Sequence, residues 1–278
     1  MRNSGHEALV RIRGLGKRYV QRRPLTRTKF TIEALENVDL TIRRGTTLAL
    51  VGESGAGKST LVRCLCLIEK PTSGEIWFDG VNLPALGRKE LLPVRRQIQI
   101  IFQDPTSALN PRFTAGEIIA EPLAIRHEGT KQQRRQRALE LMEQVGLCAK
   151  DENKLPLEFS GGQRQRLAIA RALALEPKLL ILDEALSSLD LANQEMILRL
   201  LGDLQARHAL TYVHVSHDLR MVGDLADEVA VMLEGKIVEQ KRTVDLFLHA
   251  EHPYTQDLLD AARPHESLCQ DIRRERIA

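Results

Sequence analysis

The stretch from Thr47 to Ile68 constrains this chain more than any other. A strand-like run, Thr47-Leu48-Ala49-Leu50-Val51, leads directly into Gly52-Glu53-Ser54-Gly55-Ala56-Gly57-Lys58-Ser59, and a second apolar run follows from Leu61 to Ile68. The first run reads as a buried strand and the second as a helix. The loop between them fits G-x-x-x-x-G-K-[ST], in which glycines let successive backbone N–H groups curl towards phosphate oxygens at a helix N-terminus. In that pattern Lys58 reaches the phosphates as a point charge and the Ser59 hydroxyl ligates Mg²⁺. A plain glycine turn is the competing reading; a strand before and a helix after are the context that the phosphate reading needs.

The rest of the chain supplies a matching architecture. Short β-like runs at Ala8 to Arg13 and Thr31 to Ile42 flank a basic polar loop from Gln21 to Lys29. Further strands read at Glu75-Ile76-Trp77-Phe78, Ile98 to Phe102, Leu179 to Leu182 and Thr211 to Val215, and a hairpin closes through Glu234-Gly235. Helical patterns run from Thr114 to about Ala174 and from Gln194 to Leu204. Alternating βα units predict a mainly parallel sheet with helices on both faces. The long helical stretch in the middle reads as an insertion into it.

Two further motifs carry chemistry. Leu179-Leu180-Ile181-Leu182-Asp183-Glu184 is an apolar strand ending in two carboxylates. Beside a phosphate loop, Asp183 can hold Mg²⁺ through water while Glu184 orients or deprotonates an attacking water; capping of a helix N-terminus is the competing reading. Phe159-Ser160-Gly161-Gly162-Gln163 precedes a helix-like run from Arg164 to Leu175. Ser160 as N-cap and two glycines leave backbone donors at a positive helix end, a second anion site. One nucleotide does not need two cradles in one chain, so this one is expected to close on ATP held by another subunit.

Taken in order, these motifs, with Ile101-Phe102-Gln103-Asp104, Ser188-Leu189-Asp190 and Ser216-His217-Asp218, resemble the ATPase subunits of ABC transporters over roughly residues 8 to 260. The resemblance implies a RecA-like P-loop NTPase core, α/β, with an N-terminal antiparallel β-subdomain and an inserted helical subdomain. It implies one cassette over 8–250, with the helical part at about 104–175, and a short extension over 251–278. It assigns ATP binding to Tyr19, stacked on adenine, and to Gly52, Glu53, Ser54, Gly55, Ala56, Gly57, Lys58, Ser59 and Thr60. Ser59, Gln103 and Asp183 would serve Mg²⁺. Glu184, His217 and Gln103 would be catalytic. Ser160, Gly161, Gly162 and Gln163 would touch the partner's ATP, and Ser188 and Asp190 would couple the two sites.

A finer resemblance points to the dipeptide, oligopeptide and nickel importer branch, and to its second ATPase subunit. The branch is carried by Phe102 to Pro111, by Glu158 to Arg166 and by the tail His252-Pro253-Tyr254-Thr255, and the second subunit by Glu176 to Ala185 together with Ser216 to Val222. Ala185 stands where many relatives have proline, and the tail holds only Cys269 where many carry a cysteine-rich extension, so no iron–sulfur cluster is expected. The implied partners are a different ATPase subunit, two membrane permeases and an extracytoplasmic solute-binding protein. Peptides, nickel or a related small solute would be the cargo. A non-transport ABC ATPase and a regulatory ATP-binding subunit are the alternatives.

Composition is compatible with this. No segment approaches the roughly 18 apolar residues of a membrane span, and Met1 to Glu7 lacks the apolar stretch of a signal peptide. Membrane attachment, at the cytoplasmic face, is therefore expected to come through partners. A net charge of +3 is too small to argue for nucleic acid, and none is expected. The basic run Lys131 to Arg137 reads as a solvated helix face. Cys64, Cys66, Cys148 and Cys269 lack C-x-x-C spacing and read as reduced thiols.

Overall fold

A computed structural model describes residues 7–22, 29–104, 108–187, 189–216 and 219–262. They divide into two compact units, one of residues up to 87 together with those from 212 onward, the other of residues 88–211.

The first unit opens with a hairpin much longer than the expected runs: β1 spans Ala8–Arg22 and β2 spans Lys29–Arg43. Both ends of the expected Gln21–Lys29 loop are thus in strand, and 23–28 lie outside the described residues. Alternation explains β1, since Val10 and Ile12 are buried while Arg11 and Arg13 face out. The strand β4 (Ser73–Phe78) pairs antiparallel with β1 and turns into the short β5 (Val81–Asn82), giving the order β2-β1-β4-β5. Ile76 and Phe78 pack inward from β4.

A second sheet of this unit is built on β3 (Thr47–Val51), buried at every position. It runs parallel to β8 (211–215) on one side and to β9 (Glu228–Leu233) on the other, and β10 (Lys236–Arg242) closes the edge antiparallel to β9. Strands covered on both faces need the near-continuous apolar runs seen at Leu48–Val51 and Val229–Met232. The helix after β3, α1, spans Lys58–Leu65. It stops short of the expected Ile68 because Leu67 turns left-handed, with φ of 50°. Three helices follow β8 within the unit: α7 (Leu219–Leu225), α8 (Thr243–Leu248) and α9 (Pro253–Ala262). The extension expected from 251 therefore begins with a packed helix, whose Leu259 is buried among Ala49, Val51, Val229 and Val231.

The second unit starts with α2 (Arg88–Gln97), which periodicity did not foretell. It carries Pro93, buries none of its side chains, and is held by Arg96, which donates to the Leu175 carbonyl and pairs with Glu128. The strands β6 (Ile98–Phe102) and β7 (Leu179–Asp183) pair in parallel. Helices α3 (Ala115–Ile125), α4 (Lys131–Gln144) and α5 (Gly161–Leu173) each begin with a capping box, led by Thr114, Thr130 and Ser160. Such boxes satisfy two orphan N-terminal groups reciprocally and stabilise each helix by about 1 kcal/mol. The basic run lies on the outer face of α4, where Arg135 pairs with Glu152 and Arg137 with Glu176. The last helix, α6 (Leu191–His208), is longer than the expected 194–204 because Asp190 caps it. The helical stretch expected at about 104–175 lies inside this unit, which also contains α2, β6, β7 and α6.

Among the described residues, no helix is long and apolar enough to cross a membrane.

Candidate active site

In the first unit the glycine loop joins β3 to α1, and close backbone approach explains its composition. Gly52 has φ of 147°, and a Cβ there would sit 2.2 Å from the Met232 carbonyl oxygen. At Gly57, φ is 104° and a Cβ would lie 2.7 Å from the Ala34 carbonyl. Gly57 is the N-cap of α1 and supplies no side-chain cap, and the first turn has no acidic residue. The positive end of the helix is thus left for an outside anion. Lys58, 5% exposed, lays its ammonium back over the loop, donating to the carbonyls of Gly52 at 2.6 Å and Glu53 at 2.8 Å. The loop is held from outside by Gly235, whose N–H donates to the Ala56 carbonyl. Ser54 and Gly55 are exposed, while Ser59 and Thr60 are half-buried in the first turn of α1.

Tyr19 stands at the edge of the same unit. Its hydroxyl donates to the Glu69 carboxylate, and the Lys17 ammonium lies 4.9 Å from the ring centroid. Burial and the bond to Glu69 both raise the Tyr19 pKa, and the same bond is the main cause lowering that of Glu69. Tyr19 also interacts with the Thr60 side chain, so the structure brings the aromatic candidate to the helix that follows the glycine loop.

The carboxylates belong to the second unit. Asp183 ends β7 in register with Phe102 of β6, so Gln103 and Glu184 leave the two strands side by side. Ser187 ties them together: its hydroxyl donates to the Glu184 carbonyl at 2.8 Å and accepts from Gln103 Nε2 at 3.4 Å. Glu184 has φ of 51°, a left-handed backbone that costs a non-glycine residue roughly 1–2 kcal/mol. Strain of this kind concentrates at functional positions. Within the second unit, Asp183 and Gln103 offer carboxylate and amide oxygens, the kind of hard donor that Mg²⁺ takes. Among the described residues no group of three or more His, Cys, Asp or Glu could hold a metal ion.

At the start of α5 the Ser160 hydroxyl accepts from Gln163 N–H at 3.3 Å, and the Gln163 side chain accepts from Ser160 N–H at 2.9 Å. A Cβ on Gly162 would meet Asn193 Oδ1 at 2.5 Å. Asn193 in turn donates from its side chain and its backbone N–H to Asp190, the N-cap of α6, and these bonds lower the Asp190 pKa. The structure therefore joins Gly162 to Asp190 through Asn193. Ser188 and His217 lie outside the described residues.

Sequence reasoning missed Asn193, Ser187 and Tyr254. Tyr254, at the start of α9, accepts a hydrogen bond from the Glu53 N–H at 2.9 Å. The tail His252-Pro253-Tyr254-Thr255 drew attention only as a resemblance, and its proline at the first helical position was the local sign of a helix.

A glycine loop on an uncapped helix end, in the first unit, and an apolar strand ending in a carboxylate pair, in the second, are each features expected of an α/β nucleotide hydrolase of the P-loop class. Residues 35–187 match the ABC transporter family. The chain is 44% identical to the dipeptide transport ATP-binding protein DppF of Haemophilus influenzae, over 95% of this chain and 80% of that one. It is equally 44% identical to DppF of Escherichia coli, over 98% and 80%. Among solved structures it is similar to a dimeric ATP-binding cassette in a post-hydrolysis state with ADP and phosphate: TM-score 0.73, 32% identity, covering 84% of this chain and 98% of that one. The structure of cbiO1 from Clostridium perfringens, part of the ABC transporter complex cbiONQ, gives a TM-score of 0.76 at 30% identity over 87% of this chain and 92% of that one. The chain belongs to the ABC transporter family, as an ATP-binding cassette with ATPase activity.

Proposed function

We propose that this chain is one of two ATPase subunits powering a membrane importer for peptides or a related small solute, each closing on the other's Mg-ATP. What carries the reading is the pair of helix N-termini. The α1 end lies in a glycine loop with its own lysine, whereas the α5 end is capped by its own Ser160 and keeps only glycine donors beside it. In this reading Tyr19 stacks on adenine and residues Gly52 to Thr60 cradle the phosphates. Ser59, Asp183 and Gln103 hold Mg²⁺, which when bound neutralises charge on the phosphate oxygens. Glu184 takes the proton of the attacking water, and His217 contacts the terminal phosphate. Ser160 to Gln163 cover the nucleotide of the partner, and Ser188 and Asp190 relay between sites.

The partner ATPase is a different chain, the permeases hold the pair at the cytoplasmic face, and an extracytoplasmic protein delivers the solute. A groove of about 300 Å³ in the second unit supports attachment next to the catalytic strand. Leu92, Phe102, Pro122 and Ile125 line it, with Arg95 and Arg126 at hand. Ile125 is 69% exposed and Phe102 directly precedes Gln103, so an apolar membrane-subunit segment seated there would move with the catalytic loop. ATP binding drives the cycle through its different affinity for open and closed states.

The test is reconstitution in proteoliposomes with the adjacent ATPase and permeases, comparing ATP-dependent uptake of a labelled dipeptide and of nickel. Dipeptide uptake that needs both ATPases is expected. Full ATPase activity of the isolated chain, independent of its concentration, would refute the composite site.

A further inference from the structure

The bond from Glu53 to Tyr254 spans 201 positions of sequence and joins the C-terminal helix to the glycine loop. The Glu53 N–H and the Gly52 carbonyl belong to one planar peptide group and point in opposite directions. Tyr254 holds the N–H end, and Lys58 holds the carbonyl end at 2.6 Å. Gly52 lacks a Cβ and has φ of 147°, so rotation of this peptide plane meets little steric resistance from its own residue. The two bonds supply the resistance instead.

The hydroxyl is itself held in place. Glu239, on β10 and 8% exposed, accepts from the backbone N–H groups of Glu251 at 3.0 Å and His252 at 3.1 Å, and pairs with Lys241 at 2.9 Å. Lys241 also pairs with Glu251 and donates to the His249 carbonyl. Beyond this clamp, α9 packs on the strand that ends at Val51, one residue before the loop. Burial alone would raise the Glu239 pKa, but the N–H of Glu251, Lys241, the Thr255 side chain and the N–H of His252 together bring it down to about 2. The clamp is therefore charged at any ordinary pH.

We propose that Tyr254 is a positioning residue for the phosphate loop, its hydroxyl fixing the Gly52–Glu53 peptide so that the Gly52 carbonyl faces Lys58. The proposal rests on reading residues 52–59 as the phosphate cradle. It makes the start of the C-terminal segment part of the nucleotide site, and it withdraws the Glu53 N–H from the donors offered to phosphate.

Tyr254→Phe keeps the ring and its packing and removes only the hydroxyl. Measured on the full chain, ADP affinity by calorimetry should fall about fivefold, the scale of one neutral hydrogen bond. Amide exchange of peptides covering residues 47–57, without nucleotide, should speed up. In the assembled transporter, KM for ATP should rise with kcat little changed. Glu239→Gln should move the same readouts in the same direction, and Lys58→Ala serves as the reference for a lost phosphate contact. Unchanged ADP affinity and loop exchange in Tyr254→Phe, with affinity lost in Lys58→Ala, would overturn the role of Tyr254 alone. A change in melting temperature without a change in affinity or loop exchange would do the same. Full affinity in Lys58→Ala would overturn the cradle reading, and this proposal with it.

Discussion

The N-termini of α1 and α5 are finished in opposite ways. The α1 end has glycine at the N-cap, no side-chain cap and no acid in its first turn. A lysine folds back over the loop that enters it. The α5 end is closed by a reciprocal Ser160–Gln163 box, leaving the N–H groups of two glycines at its tip. Helix dipoles favour an anion at both ends. The first combines that with a glycine-bent loop whose carbonyls are held by a buried lysine of its own, an arrangement suited to holding a polyphosphate. The second is pre-ordered and lightly equipped, suited to touching one already held elsewhere.

The comparison can be broken or sharpened by experiment. The largest effect should separate chemistry from binding. Glu184→Gln keeps the side-chain shape and removes the base, so phosphate release by the assembled transporter should fall about 10²–10⁴-fold, with ATP binding at α1 intact. Near-normal turnover would show that the strained carboxylate is not the base.

The next effect distinguishes the unit carrying α1 from the unit carrying α5. His214, on β8 next to the loop's own strand, is 2% exposed and burial lowers its pKa to about 4. The unfolded chain protonates it nearer 6.5, so between those values the unfolded state binds more protons and folding stability falls with pH. The loss amounts to roughly 3 kcal/mol once pH reaches 4, and none of it is felt above 6.5. Amide exchange at pH 5 should therefore loosen the β3 and β8 peptides relative to pH 7.5. Equal protection at both pH values would remove His214 from the account.

Applied to the two helix ends, one binding assay should give opposite answers. Lys58→Ala should weaken ATP binding by the chain about 10–100-fold, the cost of a charged hydrogen-bonding partner. Ser160→Arg should leave that affinity unchanged and abolish turnover only at the P-loop of the partner. Loss of affinity in Ser160→Arg would mean that the α5 end serves its own chain's nucleotide.

The smallest effect concerns the cap itself. Ser160→Ala should cost about 1 kcal/mol, a shift of roughly 2–4 °C in melting temperature, with no effect on ADP binding by the isolated chain. An unchanged melting temperature would mean that the box seen at α5 contributes nothing to stability.

Much of this site was legible in the residues. Glycine spacing, an apolar run before it and a lysine after it are all local, and local patterns dictate the strand, the turn and the helix end together. The capping role of Ser160 was equally local, since a cap acts within one turn. The long hairpin was not legible, because its register shifts between β1 and β2 interrupt the alternation that marks a strand. Nor was α2, a short helix interrupted by Pro93 that buries none of its side chains.

By itself, then, the sequence determined that this chain has a glycine-rich loop between a strand and a helix, a carboxylate-ended strand and a capped second helix end. Each is encoded by neighbours a few residues apart. The tertiary structure alone decided that Asn193 fills the space Gly162 leaves, that Ser187 ties Gln103 to Glu184, and that Tyr254 holds the loop at Glu53. Those contacts join separate elements of a unit, and hydrophobic periodicity carries no information about which polar side chains will meet once the elements have packed.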